Sequence, residues 1–593
     1  MDTQKKFKDR IRPTVIKSQV DLPFEPNITS CLEWADSLPV LNTTSTADMM
    51  SVASQALLTT DINPLDKFKI SEAVKPCVIK LLSICSEELE RASLPLTKKL
   101  SEISSKTLTV LTNFSLIYID IACSTGFMDA GTSGDSKESF DFSEHQRGLV
   151  LHRALELLEV IQFLQSLLYK QVSLDFWNRT NALFEFAESL CIHQHDYLTL
   201  DEDKSTTIEN EFKEIHYFHL AASNRFRQSE IKTIQRILSL QSDNILITPT
   251  RDDASTFCVD LSSSSPAIPI SDLSVSDNQY RFLNNERLIQ FMQSDDIIAP
   301  ERHGAISLVS KKPILSKEVI HQLLPSWRGV QSRKEARHEQ SEEVTVYPGF
   351  DSIIRALILK QNPDYFNKKT LPTINDPLNL DIYDLSLIPI DDHQRSQYLK
   401  NEASINKILK SSSINKALKA PADNSLSANS IWGKKKPVKL GEKGESLNAE
   451  TNDTSLQGLN FKVHANNKAL LKACDLIGIQ TKNQVVHLAI IRHINTLQDG
   501  DISVGAQMMA SSLKIANIKP HDKEAPQKPV IFLQGIPTIN QPDAIISPFS
   551  LNNAHEDIVL KTKDNISTFS IGELIETNQV FTHYTVSKET NLD

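Results

Sequence analysis

The first half of the chain has the hydrophobic spacing of amphipathic helices. Its clearest case is residues 145–171 (HQRGLVLHRALELLEVIQFLQSLLYKQ), where a narrow polar stripe recurs at three- and four-residue steps and nearly every other position is apolar. The stripe consists of His152, Glu156, Glu159, Gln162 and Ser166. This pattern predicts a helix that is buried on most of its circumference. Upstream, Ser143 and Gln146 have the spacing of a capping box, which predicts the start of the helix.

Other segments of the first half repeat this helical spacing. Helices are predicted over 66–91, 94–125, 174–193, 206–225 and 228–241, and the polar stretch 126–142 is predicted to be a loop. Glycine supports a division of the chain, since four glycines precede residue 300 and twelve follow it. A glycine-poor half is typical of helices, and a half punctuated by glycine is typical of turns and strands.

The second half carries short β-branched runs that are separated by turns. After residue 455 the runs are LQGLNFKVHA, VVHLAIIRHI, DISVGAQMM, KPVIFLQG, DIVLKT and VFTHYTV. Upstream of them, VTVYPGF predicts a strand and SIIRALILK a short helix. Six short strands joined by turns indicate a small barrel or sandwich.

These patterns predict an α+β protein, in which an N-terminal all-α helical domain is followed by a C-terminal antiparallel β-barrel. The predicted segments are an extended N-terminal segment at 1–45, the helical domain at 46–244, a mixed α/β connector at 245–325, and the barrel with a C-terminal β extension at 326–593. Within the barrel region, residues 361–447 are rich in Pro, Asn, Ser and Lys, and they are predicted to form a largely irregular insertion.

Composition and charge narrow the range of functions. Of the 593 residues, 40% are hydrophobic and 23% are charged, which excludes collagen-like, coiled-coil and wholly disordered chains. A net charge of −11 argues against a protein that coats nucleic acid polymers. Seven scattered cysteines without CxxC spacing argue against a disulfide framework. With no apolar run of about eighteen residues, we expect a cytoplasmic protein without membrane insertion.

Conventional catalytic signatures are absent from the sequence, which has no HExxH, no GxSxG and no Walker A loop. The cluster Cys191–Asp196 offers metal-ligating side chains, but no second ligand group with a recognisable spacing is nearby, so a helix-end histidine pair is the favoured interpretation. His216 and His219 are interpreted as packing or surface residues, and the lysines of 434–443 as part of a solvated linker. We therefore predict no metal, no cofactor and no catalytic residue.

Three local patterns follow one another in the second half. Arg333 and Arg337 form an RxxxR just before the strand VTVYPGF. Asp453, Ser455 and Gly458 form a DxSxxG that opens the strand LNFKV. The third pattern is the hairpin LAIIRHINTLQDGDISVGAQM, with an arginine near the end of one strand and a glycine within the next. In this order they resemble the PilZ domain, a small β-barrel that binds the bacterial second messenger cyclic di-GMP.

The resemblance implies a PilZ-like barrel that binds cyclic di-GMP through these residues. Arg333 and Arg337 would contact phosphate and guanine, while Asp453, Ser455 and Gly458 would form the floor of the site on the barrel face. The residue types suit the ligand, because a guanidinium group makes bidentate hydrogen bonds to guanine O6 and N7 and also pairs with phosphate.

The sequence also departs from the family's pattern. Between Arg337 and Asp453 lie 115 residues, where the family has a short strand-and-turn spacing. Long surface loops cost little extra closure entropy, so a barrel can still form. Met508 stands where the family usually has an aromatic residue. Arg328 is a candidate third basic contact on local sequence alone.

The sequence therefore predicts a cytoplasmic cyclic di-GMP receptor that is not an enzyme and relays the signal to an unidentified protein partner through its helical domain. The ligand is expected to order the segment 328–340 on the barrel and so to change how the helical half meets it. One alternative is a ligand-independent PilZ-like adaptor for motility or envelope machinery. Another is an enzyme in the helical half, for which no acid, base or nucleophile constellation is found.

Overall fold

The computed structural model describes most of the chain outside the long insertion. The described residues are 2–13, 21–39, 42–124, 127–128, 142–202, 204–273, 279–294, 315–330, 338–339, 341–361, 446–454, 458–466, 471–482, 485–510, 513–519, 528–535, 542–548, 551, 557–561, 566–578 and 580–588. Most of the predicted loop at 126–142 and nearly all of the predicted insertion at 361–447 lie outside these residues.

The chain divides into two compact units. The first comprises Met1–Val346, Leu447–Ser511 and Ile575–Thr582, and the second comprises Tyr347–Ser446, Ser512–Leu574 and His583–Asp593.

Helices make up most of the first half of the first unit. They are α1 (Asp2–Ile11), α2 (Ile28–Asp36), α3 (Thr43–Thr59), α4 (Pro64–Arg91), α5 (Lys98–Cys123), α6 (Glu144–Leu167), α7 (Leu174–Ser189), α8 (Ile208–Leu220), α9 (Gln228–Gln241), α10 (Glu286–Met292) and α11 (Lys317–Trp327). The five helices predicted beside the central one are confirmed as α4, α5, α7, α8 and α9. In the part of the chain that the structure describes, no helix is long and apolar enough to cross a membrane.

Helix α6 starts at the predicted capping box. Ser143 Oγ accepts a hydrogen bond from the Gln146 backbone N–H, and Gln146 Oε1 accepts one from the Ser143 backbone N–H. The polar stripe of α6 is buried along its whole length. It lies against α8, where Gln162 Nε2 donates to the Ile215 carbonyl oxygen at 3.1 Å. The prediction of a helix buried on most of its circumference is confirmed.

The structure departs from the sequence expectation at the N-terminus, where an extended segment is predicted over 1–45. Two helices, α1 and α2, occupy part of this segment. In α1, Phe7 and Ile11 are buried, and the Phe7 ring stacks on Phe186 with centroids 4.3 Å apart. A polar ten-residue helix is not stable alone in water, so tertiary contacts stabilise it, and local sequence spacing does not report such contacts.

Two small antiparallel elements follow the helices. A hairpin joins β1 (Asp196–Leu198) to β2 (Ser205–Thr207). A four-stranded sheet contains β3 (Leu246–Thr248), β4 (Phe257–Asp260), β5 (Ile268–Pro269) and β6 (Tyr280–Asn284) in the order β3-β6-β4-β5.

A sheet of seven strands completes the first unit, and six of them close into a ring. The strands are β7 (His338–Glu339), β8 (Glu343–Pro348), β9 (Leu447–Thr454), β10 (Gly458–Val463), β11 (Leu476–Gln480), β12 (Val486–Thr496) and β13 (Ile502–Ala510). Their order is β10-β13-β12-β11-β8-β9-β7, and β9 also pairs with β10, which closes β8 to β13 into a ring. We call this the first ring; β7 lies outside it and pairs with the last residues of β9, beyond the part of β9 that pairs with β8.

The second unit contains α12 (Gly349–Gln361) and most of a further closed barrel, which we call the second ring. Its strands are β14 (Leu513–Lys519), β15 (Lys528–Leu533), β16 (Ala544–Ser547), β17 (Asp557–Lys561), β18 (Ile566–Thr577) and β19 (Thr582–Lys588). They pair in the order β14-β15-β16-β19-β18-β17. When the six strands of each ring are numbered in chain order, both rings have the strand order 1-2-3-6-5-4. Sequence spacing predicts one barrel with a β extension, because it marks strands but not the non-local pairing that separates them into two rings.

The helical half and the first ring share one hydrophobic core within the first unit. Leu164 of the helical half belongs to the same buried cluster as Ile494 and Val504 of the ring. The backbone groups of Leu94 and Leu471 exchange two hydrogen bonds, of 3.0 and 2.7 Å. The ring is therefore held directly by the helices.

Candidate functional site

The DxSxxG motif lies where β9 leads into β10. Asp453 is near the end of β9, and Gly458 opens β10 opposite Gln507 of β13. Ser455 lies outside the described residues. The motif thus joins the second strand of the first ring to the third.

The RxxxR motif ends directly before β7. Arg333 and Arg337 lie outside the described residues, but the next residue, His338, is paired with Thr454 of β9. His338 directly follows Arg337, and Thr454 directly precedes Ser455. The pairing of His338 with Thr454 therefore brings the two motifs next to each other. The two motifs, far apart in sequence, adjoin the same end of β9.

A β-bulge turns Asp453 towards the outside of the ring. Across β9 and β10, Asp453 is opposite Asn460 and Thr451 is opposite Phe461, so Asn452 is an extra residue. Phe461 is buried in the ring, and successive side chains of a strand point to opposite faces, so Asn460 points outwards. Directly paired residues share a face, and Asp453 therefore points outwards as well. Bulges often redirect side chains in this way beside functional sites.

A second bulge, at Arg492 of β12, brings His493 to the same outer face. His493 is opposite Gly505 of β13, and Gly505 is opposite Asn460 of β10. His493, Gly505, Asn460 and Asp453 therefore form a line across four neighbouring strands, which we call the outer row. Sequence analysis places Asp453 at the site but misses Asn460 and His493, because their position depends on two bulges.

Two contacts define the surface of the outer row. A Cβ atom on Gly505 would lie 1.9 Å from Cε1 and 2.3 Å from Nε2 of His493, so the imidazole ring covers the glycine backbone. The Asn460 side-chain oxygen accepts a hydrogen bond from Ser503 Oγ at 3.0 Å. Glycine at 505 is thus required by the ring that covers it.

The arginine of the predicted hairpin, Arg492, is held by other side chains. Its two terminal nitrogens donate to the carboxylate oxygens of Glu576 at 2.8 and 3.1 Å. Its Nε donates to Gln507 Oε1 at 2.8 Å, and Gln507 is the cross-strand partner of Gly458. The pair with Glu576 reduces the capacity of Arg492 to bind an anion.

Arg328 lies at the end of α11. Its backbone N–H donates to the Leu324 carbonyl oxygen at 2.9 Å, and its side chain is exposed. Among its described contacts, none joins it to the outer row.

His216 and His219, which are interpreted from the sequence as packing or surface residues, are in packed surroundings. The His216 ring stacks on Trp177 with centroids 5.2 Å apart, and its Nδ1 accepts a hydrogen bond from the Ala267 backbone N–H. Burial lowers the pKa of His216 to about 3 and that of His219 to about 4. Among the described residues, no group of three His, Cys, Asp or Glu side chains could hold a metal ion. The lysines of 434–443 lie outside those residues.

A cluster of ionisable side chains is buried between α6 and α8, away from the outer row. His152 Nδ1 is 3.6 Å from Glu156 Oε2, and its Nε2 is 3.8 Å from Glu211 Oε1. Burial raises the pKa of Glu156 to about 7 and that of Glu214 to about 8, and it lowers the pKa of His152 to about 3. Near pH 7, His152 is therefore uncharged, Glu214 is mostly protonated and Glu156 is about half protonated.

Two family models match the chain. Residues 29–251 match the N-terminal domain of the cyclic di-GMP receptor FimW, and residues 256–514 match the middle PilZ domain of FimW. The second match includes the first ring and both motifs. A search of curated proteins and a search of solved structures gave no match.

Proposed function

The chain belongs to the PilZ-domain family of cyclic di-GMP receptors, and from that premise we propose that it binds cyclic di-GMP on the outer face of the first ring. Arg333 and Arg337 contact the phosphates and a guanine. Asp453, Ser455 and Gly458 form the floor beneath the ligand.

The pairing of His338 with Thr454 is the observation that carries this proposal. It supports a site assembled from both motifs, because the strand pairing places the residue after Arg337 beside the end of β9 although 115 residues separate Arg337 from Asp453 in sequence. The bulge at Asn452 adds support, since it directs Asp453 to the outside, where a ligand has access.

The chemistry of each residue suits cyclic di-GMP. A carboxylate at Asp453 accepts hydrogen bonds from guanine N1–H and N2–H₂, which adenine does not offer in this arrangement. A guanidinium group donates in a fork to O6 and N7 or pairs with phosphate. The glycine at 458 allows the ligand to approach the backbone closely.

We further propose that β12 relays binding to the helical domain and from there to a protein partner. Past His493, Thr496 Oγ1 donates to the Leu168 carbonyl oxygen at 2.8 Å, and its N–H donates to the Tyr169 carbonyl oxygen at 2.9 Å. Tyr169, just past α6, has a left-handed backbone with φ of 53°. A shift of β12 on binding would therefore reach the C-terminal end of the buried helix α6. Such a relay requires that the ligand bind the two arrangements with different affinity.

We propose that this receptor acts in the cytoplasm and catalyses no reaction. The matched family is one of receptors and not of enzymes. The sequence also lacks a GGDEF- or EAL-type signature, which favours a protein that reads the dinucleotide over one that makes or degrades it.

Calorimetric titration of cyclic di-GMP into the full chain tests the proposal. The Arg333→Ala/Arg337→Ala variant should weaken binding by roughly ten- to a hundredfold or more, because each lost bidentate contact contributes about 1–3 kcal/mol. A matched control, Arg251→Ala/Arg287→Ala, removes two exposed arginines elsewhere in the first unit and should bind like the wild type. Equal binding by both double variants would reject the assigned site. No binding by the wild type would reject the receptor and favour the ligand-independent adaptor.

A further inference from the structure

The outer row extends past the DxSxxG motif, and we propose that His493 and Asn460 are additional ligand-binding residues there. His493 provides a flat surface on which one guanine stacks, and the Asn460 amide donates to the acceptor edge of a guanine. This inference rests on the proposed function and adds residues that neither motif contains.

The arrangement of His493 suits stacking. Its imidazole covers Gly505, where any larger residue would displace the ring, and the side chain stays partly exposed. An aromatic ring lying along the surface of a sheet, with one face against the backbone, offers its other face to a base. Stacking of bases on aromatic side chains is a general means of binding nucleotides.

The arrangement of Asn460 suits a donor role. Its side-chain oxygen already accepts a hydrogen bond from Ser503 Oγ, which orients the amide. The amide nitrogen, with its two donors, is then directed away from Ser503 on the outer face. Guanine O6 and N7 are acceptors that such a donor can meet.

The length of the outer row matches a ligand with two bases. From β9 through β10 and β13 to β12 there are three strand-to-strand steps, which span roughly 14 Å. Asp453 at one end can read one guanine, so His493 at the other end is placed for a second base or a second ligand molecule. Both ends belong to the first unit.

The test compares dissociation constants for cyclic di-GMP across variants of the full chain. His493→Ala should weaken binding roughly five- to a hundredfold, as expected for loss of one stacked base. His493→Phe keeps a flat ring without nitrogen atoms and should stay within about threefold of the wild type. Asn460→Ala should weaken binding by roughly two- to tenfold, as expected for one neutral hydrogen bond.

Gly505→Ala provides an independent way to move the histidine ring. The added methyl group would collide with His493 and displace it, so this variant should lose affinity much as His493→Ala does. In the His493→Ala background the methyl group meets no ring, and Gly505→Ala should then change the dissociation constant by less than about twofold. A large further loss in that background would show that the backbone, and not the ring, matters, and would overturn the stacking role.

Two controls separate this inference from the proposed function. Asn448→Ala changes an exposed residue on β9, near the strand end opposite to Asp453, and should bind like the wild type. If Asp453→Ala abolishes binding while His493→Ala stays within about twofold of the wild type, the further inference fails and the proposed function stands. If the wild type does not bind, both fail. An equal loss by Asn448→Ala and His493→Ala would also overturn the inference, because a general disturbance of the ring would then explain the effect.

Discussion

At the scale of single residues, the buried carboxyl groups between α6 and α8 are the most unusual feature of the helical half. Glu211 and Glu214 are about 2% exposed, and the basic group nearest to Glu211 among its described ion pairs is His152, whose pKa is lowered by burial to about 3, so that it is uncharged at neutral pH. Burial raises the pKa of both groups, so each keeps its proton where an exposed carboxyl would lose it. The folded state therefore binds protons that the unfolded chain releases.

This proton binding makes a prediction about pH and stability. The pKa of Glu214 is about 8 in the folded state against 4.5 for the free group, so its contribution to stability falls as the pH rises from about 4.5 to about 8. Compared with Glu214→Gln, which cannot titrate, the free energy of unfolding of the wild type should fall by about 1 kcal/mol per pH unit between pH 5 and 7.

Urea unfolding of both proteins across that pH range measures the difference. The buried histidines contribute equally to both proteins and cancel in the comparison. As a control, Glu88→Gln changes an exposed carboxyl and should leave the pH dependence of the wild type unchanged. A constant difference between wild type and Glu214→Gln at every pH would contradict a raised pKa.

At the scale of elements, local patterns predict helices and strands well, whereas tertiary contacts explain the departures. The spacing over 228–241 coincides with α9, and the Ser143 capping box marks the start of α6. All six predicted strand runs contain strands. In contrast, α1 is helical because Phe7 packs on Phe186, a contact between residues far apart in sequence that no local pattern reveals.

The candidate site, too, could be predicted from local sequence patterns only in part. The motifs identify Asp453 and Gly458 directly, because their residue types are characteristic. Asn460 and His493 become visible only with the strand pairing, since a single bulge reverses which side chains of a strand face outwards. The positions of the bulge residues, Asn452 and Arg492, cannot be predicted from the sequence alone.

The hydrogen bonds between Thr496, at the end of β12, and the residues that follow α6 lead to a prediction about elements. Thr496→Val keeps the shape of the side chain but removes the hydroxyl group that donates to Leu168, leaving a buried acceptor without that partner. We expect a loss of about 1–2 kcal/mol in the free energy of unfolding of the first unit. Thr496→Ser keeps the hydroxyl group and should lose less. Urea unfolding followed by tryptophan fluorescence compares the two, and an equal loss would show that the hydrogen bond contributes nothing.

At the scale of the whole molecule, two rings share one strand order but differ in chemistry. The sequence contains no arginine after Arg492, so the second ring has none, whereas the first ring is preceded by the RxxxR motif. Because guanidinium groups supply the main contacts to phosphate and guanine in the proposed site, we expect the ligand to bind to the first ring alone. A net charge of −11 also opposes the approach of an anionic dinucleotide, so binding depends on the local arginines.

Hydrogen–deuterium exchange of the full chain, with and without saturating cyclic di-GMP, shows directly whether the ligand binds to the first ring. The experiment needs no substitution, and it measures the exchange of backbone amide hydrogens in all parts of the chain at once. We predict slower exchange in peptides covering 328–340 and 447–463, a smaller change at the end of α6 near Leu168, and no change within 513–588. Unchanged exchange in 328–340 and 447–463 while the ligand is bound, or protection confined to the second ring, would contradict this prediction.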